Sequence, residues 1–293
     1  MMKEIVILSG KGGTGKTSVA AALAVLAGKE AVSADCDVDA ANMHLMLKPD
    51  FAKASDFYGG LVALINNDSC IGCGKCFDVC RFDAVIKTQD SFTINKLDCE
   101  GCGYCEKVCP SGSVLMQKRY SGVLYISSIR TGTSMVHAKL GIGAENSGKL
   151  VAEVKKKATE IAFTSGKKYV IADGSPGIGC PVVSSLSGAS YVLLVTEPTL
   201  SASHDLKRLI ELIKAFNIPS GCIINKYDIN PKQTAAILKF LYEEKIEHLC
   251  NIPFNNKVAG EMSKSVTMAE GNEIIKAKIT ELWKKLKLKT EII

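Results

Sequence analysis

The chain has 293 residues, 47% of them hydrophobic and 23% charged, with a formal net charge of +6. That is enough chain for one large domain, or one domain plus a small one, and the mild charge does not point to nucleic acid as a partner. EIVIL at residues 4–8 is too short for a signal-peptide core, and no apolar run reaches the roughly 18 residues a membrane span needs. The 12 cysteines are concentrated in one window, which suits metal-ligating thiolates in a reducing cytoplasm better than a secreted disulfide scaffold.

In chain order, Ile5–Leu8 is a continuous apolar run ending at Gly10, as a strand buried on both faces would be. An alanine-rich helix over Ser18–Leu26 follows, then a second strand over Ala31–Ala34 that ends at Asp35. Strand, glycine loop, helix and strand make a βαβ unit. From about residue 57 to 118 the helical periodicity vanishes, and short pieces such as Leu61–Ile65 and Phe92–Ile94 read as small strands. After about residue 120 the α/β rhythm returns, with strands at Tyr169–Ala172, Tyr191–Val195 and Cys222–Ile224 and helical patterns at 148–163, 204–215 and 231–244. The expected fold is therefore α/β: a doubly wound, mostly parallel sheet over 1–56 and 120–293, with a small α+β domain inserted at 57–119.

GKGGTGKTS at 10–18 matches the phosphate-loop pattern from Gly10 to Thr17, between a strand and a helix. Gly10, Gly12, Gly13 and Gly15, with Thr14 and Ser18, let backbone N–H groups converge on phosphate oxygens. Lys16 is expected to neutralise β- and γ-phosphate charge, and the Thr17 hydroxyl to reach Mg²⁺. The additional Lys11, in KGGTGKT, resembles the deviant phosphate loop of the MinD/ParA/Mrp and nitrogenase-iron-protein ATPases.

That resemblance implies a nucleotide-dependent homodimer in which Lys11 reaches the partner's nucleotide, with ATP or ADP and Mg²⁺ as ligands. It makes ADCDVDAANMHL at 34–45 a switch I segment, with Asp35 near Mg²⁺ and Asp37 orienting the attacking water. Asp37 and Asp39 as mere caps of a helix through 40–46 is the alternative. By the same resemblance YVIADGSPG at 169–177 combines Walker B and switch II, with Asp173 holding Mg²⁺ through water and the Gly177 N–H sensing the γ-phosphate. IINKYD at 223–228 resembles the base-recognition stretch, with the Asn225 amide suited to an adenine edge or, alternatively, to a turn.

CIGCGKCFDVC at 70–80 and CEGCGYCEKVC at 99–109 repeat with a period of 29 residues. Each is the bacterial ferredoxin run for a [4Fe–4S] cluster, whose fourth cysteine ligates the other cluster. Cys70, Cys73, Cys76 and Cys109 are thus expected to hold one cluster, and Cys99, Cys102, Cys105 and Cys80 the second. Zinc is a poor match to this duplicated pattern. Pro110 follows the second run as in ferredoxins, whereas Arg81 stands at the matching place after the first. The whole chain resembles ferredoxin-containing members of the MinD superfamily from anaerobic bacteria and archaea.

Cys180 lies seven residues beyond Asp173, at a spacing shared with the nitrogenase iron protein, but its second cysteine has no counterpart in KLGIGAENSGK at 139–149. It is read as a small packed residue, and Cys36, Cys222 and Cys250 as buried small hydrophobes. His44, His137, His204 and His248 form no ligand cluster. In the basic C-terminal helix Ile275, Ile279, Leu282 and Leu286 share a face, which is expected to pack on the sheet; peripheral membrane contact, as in MinD, is the alternative. Three functions are compatible with these motifs. The favoured one is ATP-gated electron transfer through two clusters to an unidentified redox partner protein. The others are a positioning or assembly ATPase with a redox sensor, and an iron–sulfur carrier.

Overall fold

The computed structural model describes residues 2–89, 91–141, 143 and 147–292. The chain forms two compact units: Met1–Ser55, Leu124–Lys139 and Ser147–Ile293 make the first, and Asp56–Val123 with Leu140–Asn146 the second. The second unit therefore extends beyond the 57–119 window on both sides.

The first unit opens with β1 (Lys3–Leu8), α1 (Lys16–Ala27), β2 (Ala31–Asp35) and α2 (Met43–Leu47). The chain leaves it along β3 (Lys53–Ile65), forms α3 (Lys75–Asp78), β4 (Val85–Lys87), β5 (Phe92–Ile94) and α4 (Tyr104–Lys107), and returns along β6 (Val114–Ser128). Next come β7 (Ser134–Leu140), α5 (Ser147–Thr164), β8 (Tyr169–Asp173), α6 (Cys180–Leu186), β9 (Tyr191–Thr196) and α7 (Leu200–Ala215). β10 (Ser220–Asn225), α8 (Pro231–Glu243), β11 (Glu247–Ile252), α9 (Lys257–Ser263) and α10 (Glu273–Ile292) complete it.

The first unit's strands lie in the order β11-β10-β9-β1-β8-β2-β7. Neighbours run parallel, with Ile7 beside Asp173 and Asp35 beside Asp173 in register. The central strands read as unbroken apolar runs because both faces are covered. Ile5, Ile7, Ile171 and Leu193 point into a core built with α1 and α10, while the alternating Val6, Leu8, Val170, Ala172, Val192 and Leu194 are equally buried on the other face. Chain order reverses around β1, whose neighbours are β8 and β9. Ligands of doubly wound sheets bind at such a switch point, beyond the strands' carboxyl ends.

Ile275, Ile279, Leu282 and Leu286 of α10 are at most 1% exposed and belong to that core. Burying each such side chain contributes about 1.5–3 kcal/mol, so the amphipathic face is already committed to the sheet. Exposed Ile274, Leu288 and Ile292 are what remain. Among the described residues no helix is long and apolar enough to cross a membrane.

In the second unit β3 and β6 are neighbours, with the Gly59 N–H donating to Ser121 Oγ at 3.2 Å. β4 and β5 form an antiparallel pair, Val85 opposite Ile94 and Lys87 opposite Phe92. β5 falls where the sequence places it; β3 begins well before Leu61, because polar Lys53–Asp56 shows no alternation that would mark a strand. The sequence repeat is also a backbone repeat. Gly72 and Gly74 have φ of +66° and +75°, Gly101 and Gly103 +66° and +74°, and Gly74 and Gly103 each start a four-residue helix. The core is small: Val62, Ala63, Ala84, Val85, Phe92 and Val114, shared with Cys76 and Cys99.

The two repeats differ in clearance. A Cβ at Gly72 meets open space, whereas one at Gly101 falls 2.2 Å from the Leu61 carbonyl oxygen. Gly72→Ala should cost about 1–2 kcal/mol through its left-handed backbone. Gly101→Ala should cost at least about 1–3 kcal/mol more, because β3 must move. Denaturant unfolding of the two variants should show that order; equal midpoints would refute it.

Candidate functional site

The loop after β1 enters α1 through Gly15, left-handed at φ 94°, with no side chain capping the helix. That leaves the first N–H groups of a 12-residue helix free to face an anion. Gly12 and Gly13 have open space around a notional Cβ, as a backbone that must approach a ligand requires. Gly10 and Gly15 serve packing instead: a Cβ at Gly10 would lie 2.5 Å from the Asp205 backbone carbon, and one at Gly15 2.4 Å from Asn225 Nδ2. A cavity of about 820 Å³ runs from Gly12, Gly13, Gly15, Lys16, Thr17 and Ser18 to Asp37, Leu45 and Met262. Thr14 lies beside it, buried, and its hydroxyl donates to the Lys11 carbonyl at 3.5 Å.

β1, β2 and β8 bring three expected carboxylates and one ammonium together. Lys16 Nζ donates to Asp173 Oδ1 at 2.7 Å and to Asp37 Oδ2 at 3.3 Å, and all three residues are buried. Burial opposes the charge on Lys16, but Asp173 and Asp37 more than compensate and hold its pKa above the ordinary value. Burial raises the Asp37 carboxyl, with Lys16 acting against it. Asp173 Oδ2 is buried with no hydrogen-bond partner among the described residues, so the carboxylate keeps one acceptor available for a hydrated cation.

Asp35, expected near Mg²⁺, uses both oxygens on backbone: Oδ1 accepts the Asp37 N–H at 3.2 Å and Oδ2 the Met43 N–H at 3.1 Å. It shapes the segment after β2 and starts α2. The helix begins at Met43, so neither Asp37 nor Asp39 occupies its N-cap. Burial, then the neighbouring Asp173, pushes the Asp35 carboxyl from 3.8 up to about 8. The native state therefore keeps a proton that the unfolded chain has lost. Its stabilising contribution is complete below about pH 4 and disappears as pH rises to about 8. Thermal unfolding should show Tm falling across that window, and Asp35→Asn should flatten the slope; an unchanged slope would contradict this assignment.

The other expected residues stand at strand ends around the loop. Asn225 closes β10, donating from Nδ2 to the Thr14 carbonyl at 2.8 Å and accepting the Lys226 N–H at 3.0 Å. Its amide therefore braces the phosphate loop. Gly177 has φ 91°, and its N–H donates to the Ser9 carbonyl at 3.0 Å. Lys11 Nζ donates to Ser201 Oγ at 3.0 Å and lies 3.8 Å from Glu197 Oε1. Sequence reasoning missed Glu197 and Lys226, whose ion pair is 2.8 Å. Their signal was position, since Glu197 follows β9 and Lys226 follows β10 at the carboxyl edge of the sheet.

The eight clustered cysteines form two sets in the second unit. One cavity is lined by Cys70, Cys73, Cys76 and Cys109, with Ser111 and Ser113. A separate one is lined by Cys80, Cys99, Cys102 and Cys105. Each draws three cysteines from one run and the last from the other. Among the described residues no three His, Cys, Asp or Glu side chains are grouped to hold a single metal ion. A cubane makes a different demand, because each thiolate binds its own iron and the four surround a volume. Ser113 and then Ser111, at 3.4 Å and 3.6 Å from Cys109 Sγ, hold that thiol down at about 6, favouring the thiolate a metal requires. Burial pushes the Cys76 and Cys105 thiols up.

Cys180, expected as a packed residue, is exposed instead. Extended Gly179 precedes it and it opens α6, so its side chain begins a helix end rather than entering a core. Cys36, Cys222 and Cys250 are buried as expected. His137 is buried against Tyr125 and bonded to Ser127 at 2.9 Å, and burial lowers its pKa to about 4.

Residues 5–270 match the CobQ/CobB/MinD/ParA nucleotide binding domain. The uncharacterised protein MJ0578 of Methanocaldococcus jannaschii is 36% identical over 289 residues, covering 98% of this chain and 97% of the relative. The septum site-determining protein MinD of Synechocystis is 27% identical over 230 residues, 77% of this chain and 65% of that protein. Among solved structures, MinD of Pyrococcus horikoshii complexed with Mg-ADP aligns over 98% of this chain and 96% of its own, with a TM-score of 0.57 and 19% identity. An ATP complex of a Cyanothece McdA variant aligns over 98% of this chain and 96% of its own, with a TM-score of 0.54 and 15% identity.

Proposed function

This chain belongs to the CobQ/CobB/MinD/ParA nucleotide-binding family, and from that premise we propose that it is a MinD/ParA-type ATPase whose second unit carries two [4Fe–4S] clusters. Family membership supports the ATPase half. The crosswise sorting of eight cysteines into two four-cysteine cavities is the observation that carries the other half.

At the nucleotide end Lys16 trades its carboxylate partners for β- and γ-phosphate oxygens, and the α1 N–H groups complete the cradle. Asp173, with its free Oδ2, and the Thr17 hydroxyl would hold Mg²⁺. Asp37, released from Lys16, orients the attacking water. The Gly177 N–H must leave the Ser9 carbonyl to meet a γ-phosphate, so ATP and ADP favour different switch II positions. Asn225 keeps one amide N–H and one oxygen lone pair for a base edge beside its bonds to Thr14 and Lys226. Lys11 acts on the nucleotide of a second copy, which makes the working form a nucleotide-dependent homodimer.

Clusters bound by the cysteines would supply one-electron chemistry. Their eight ligand residues position them, and Cys73 and Cys102 are exposed, where a partner protein could approach. Two uses follow. As a redox sensor, cluster oxidation state biases an assembly or positioning ATPase, the use nearest to the MinD relatives. As an electron carrier, ATP-driven pairing gates delivery to a redox partner; the complete thiolate set in each cavity favours retention over transfer of a cluster.

Anaerobically isolated protein should contain about eight irons per chain, and Mg-ATP should convert it from single chains to pairs in sedimentation. Reduction of the clusters that changes ATP turnover supports the sensor; ATP that changes the cluster potential supports the carrier. Four irons or fewer, or no Mg-dependent ATP affinity, would end the reading.

A further inference from the structure

Glu197 is placed to control Lys11. It follows β9, is 8% exposed, and its single carboxylate faces two ammonium groups, that of Lys11 in the phosphate loop and that of Lys226 after β10. Oε1 lies 3.8 Å from Lys11 Nζ, and Oε2 lies 2.8 Å from Lys226 Nζ. Lys11 also donates to Ser201 Oγ at 3.0 Å. The bed under it is firm: the Thr199 side chain caps α7 through the Ala202 N–H at 3.2 Å, and the Thr199 N–H returns to the Glu197 carbonyl at 2.8 Å. Lys226 in turn donates to the Gly13 carbonyl at 3.2 Å.

We propose that Glu197 is a positioning residue that, with Ser201, parks Lys11 on its own protomer and so sets how readily two protomers pair on nucleotide. The inference rests on the trans role of Lys11 given above. Reaching another copy's nucleotide requires Lys11 to leave one carboxylate and one hydroxyl. A buried carboxylate stripped of its only cation would resist that strongly. Glu197 is not stripped, because Lys226 stays at 2.8 Å. The contact can therefore open and close reversibly. Its strength is modest, since the Lys11 side chain is 40% exposed.

Glu197→Gln keeps the shape and the acceptor while removing the charge. In the full chain with Mg²⁺ and a non-hydrolysable ATP analogue, it should lower the protein concentration at which chains pair by about two- to five-fold. Without nucleotide, acetylation of Lys11 followed by mass spectrometry should accelerate by a similar factor in Glu197→Gln and in Ser201→Ala. Lys226→Met leaves Glu197 to Lys11 alone, so Lys11 acetylation should slow. Unchanged Lys11 acetylation in all three variants would overturn the parking contact. Faster acetylation with unchanged pairing, against a wild type that pairs, would overturn the control of pairing alone. A wild type that never pairs on the analogue would instead overturn the trans role, and with it the proposed homodimer.

Discussion

Replacing Lys16 with alanine should reduce ATP turnover by about a hundredfold or more, because the transferring phosphoryl group loses its fixed positive charge. Iron content should not change, since every cluster cysteine lies in the other unit. The variant also tests stability. Lys16 is the cation for Asp173 and Asp37, and Asp35 lies close enough to raise its pKa further. Removing one partner of a buried ion pair costs about 3–5 kcal/mol, so Lys16→Ala should melt earlier and recover part of the loss at low pH, where the stranded carboxylates can take up protons. Lys16→Arg keeps the charge and separates the two effects: it should retain most of the Tm and still lose turnover. Full turnover in Lys16→Ala would exclude this lysine from the chemistry.

The second large effect concerns which cysteines act together. Cys70 and Cys109 share one cavity although 39 positions separate them, while Cys70 and Cys80 belong to one sequence run but line different cavities. Cys70→Ser/Cys109→Ser should therefore damage one cluster and leave about four irons per chain. Cys70→Ser/Cys80→Ser should damage both and leave almost none. For an electron carrier, ATP turnover of the first variant, assayed without any redox partner, should stay within about twofold of wild type, because none of these residues lines the nucleotide cavity; a larger change would favour the sensor. Iron and sulfide analysis, with electron paramagnetic resonance of the reduced proteins, distinguishes the outcomes. Equal iron loss in the two double variants would refute the crosswise arrangement.

The two cysteine runs and the phosphate loop were legible because each is marked by its local spacing. Gly10–Thr17 must sit between a strand and a helix to work, and C-x₂-C-x₂-C needs only a short stretch of chain to wrap a metal group. The apolar runs of β1, β8 and β9 and the stripe of α10 were legible for the same reason, since burial on two faces or one leaves a periodic trace. β11 was less so: its EHLCNI mixes charge and apolar residues because it pairs with β10 only, at the margin of the sheet.

What the amino-acid sequence determined by itself, then, is which chemical groups exist and which short-range frames hold them: the phosphate loop, the paired cysteine runs, and the strands and helices between. Tertiary structure alone decided their partners. It assigned Asp35 to backbone N–H groups, Asn225 to the Thr14 carbonyl, and Lys11 to Ser201 and Glu197. The Asp35 contacts reach only two and eight residues along the chain, but those of Asn225 and Lys11 join residues brought to one sheet edge by parallel strands far apart in the chain. A charged side chain carries no local mark of which neighbour the fold will supply; that depends on strand order and register, which are settled only when the whole sheet is assembled.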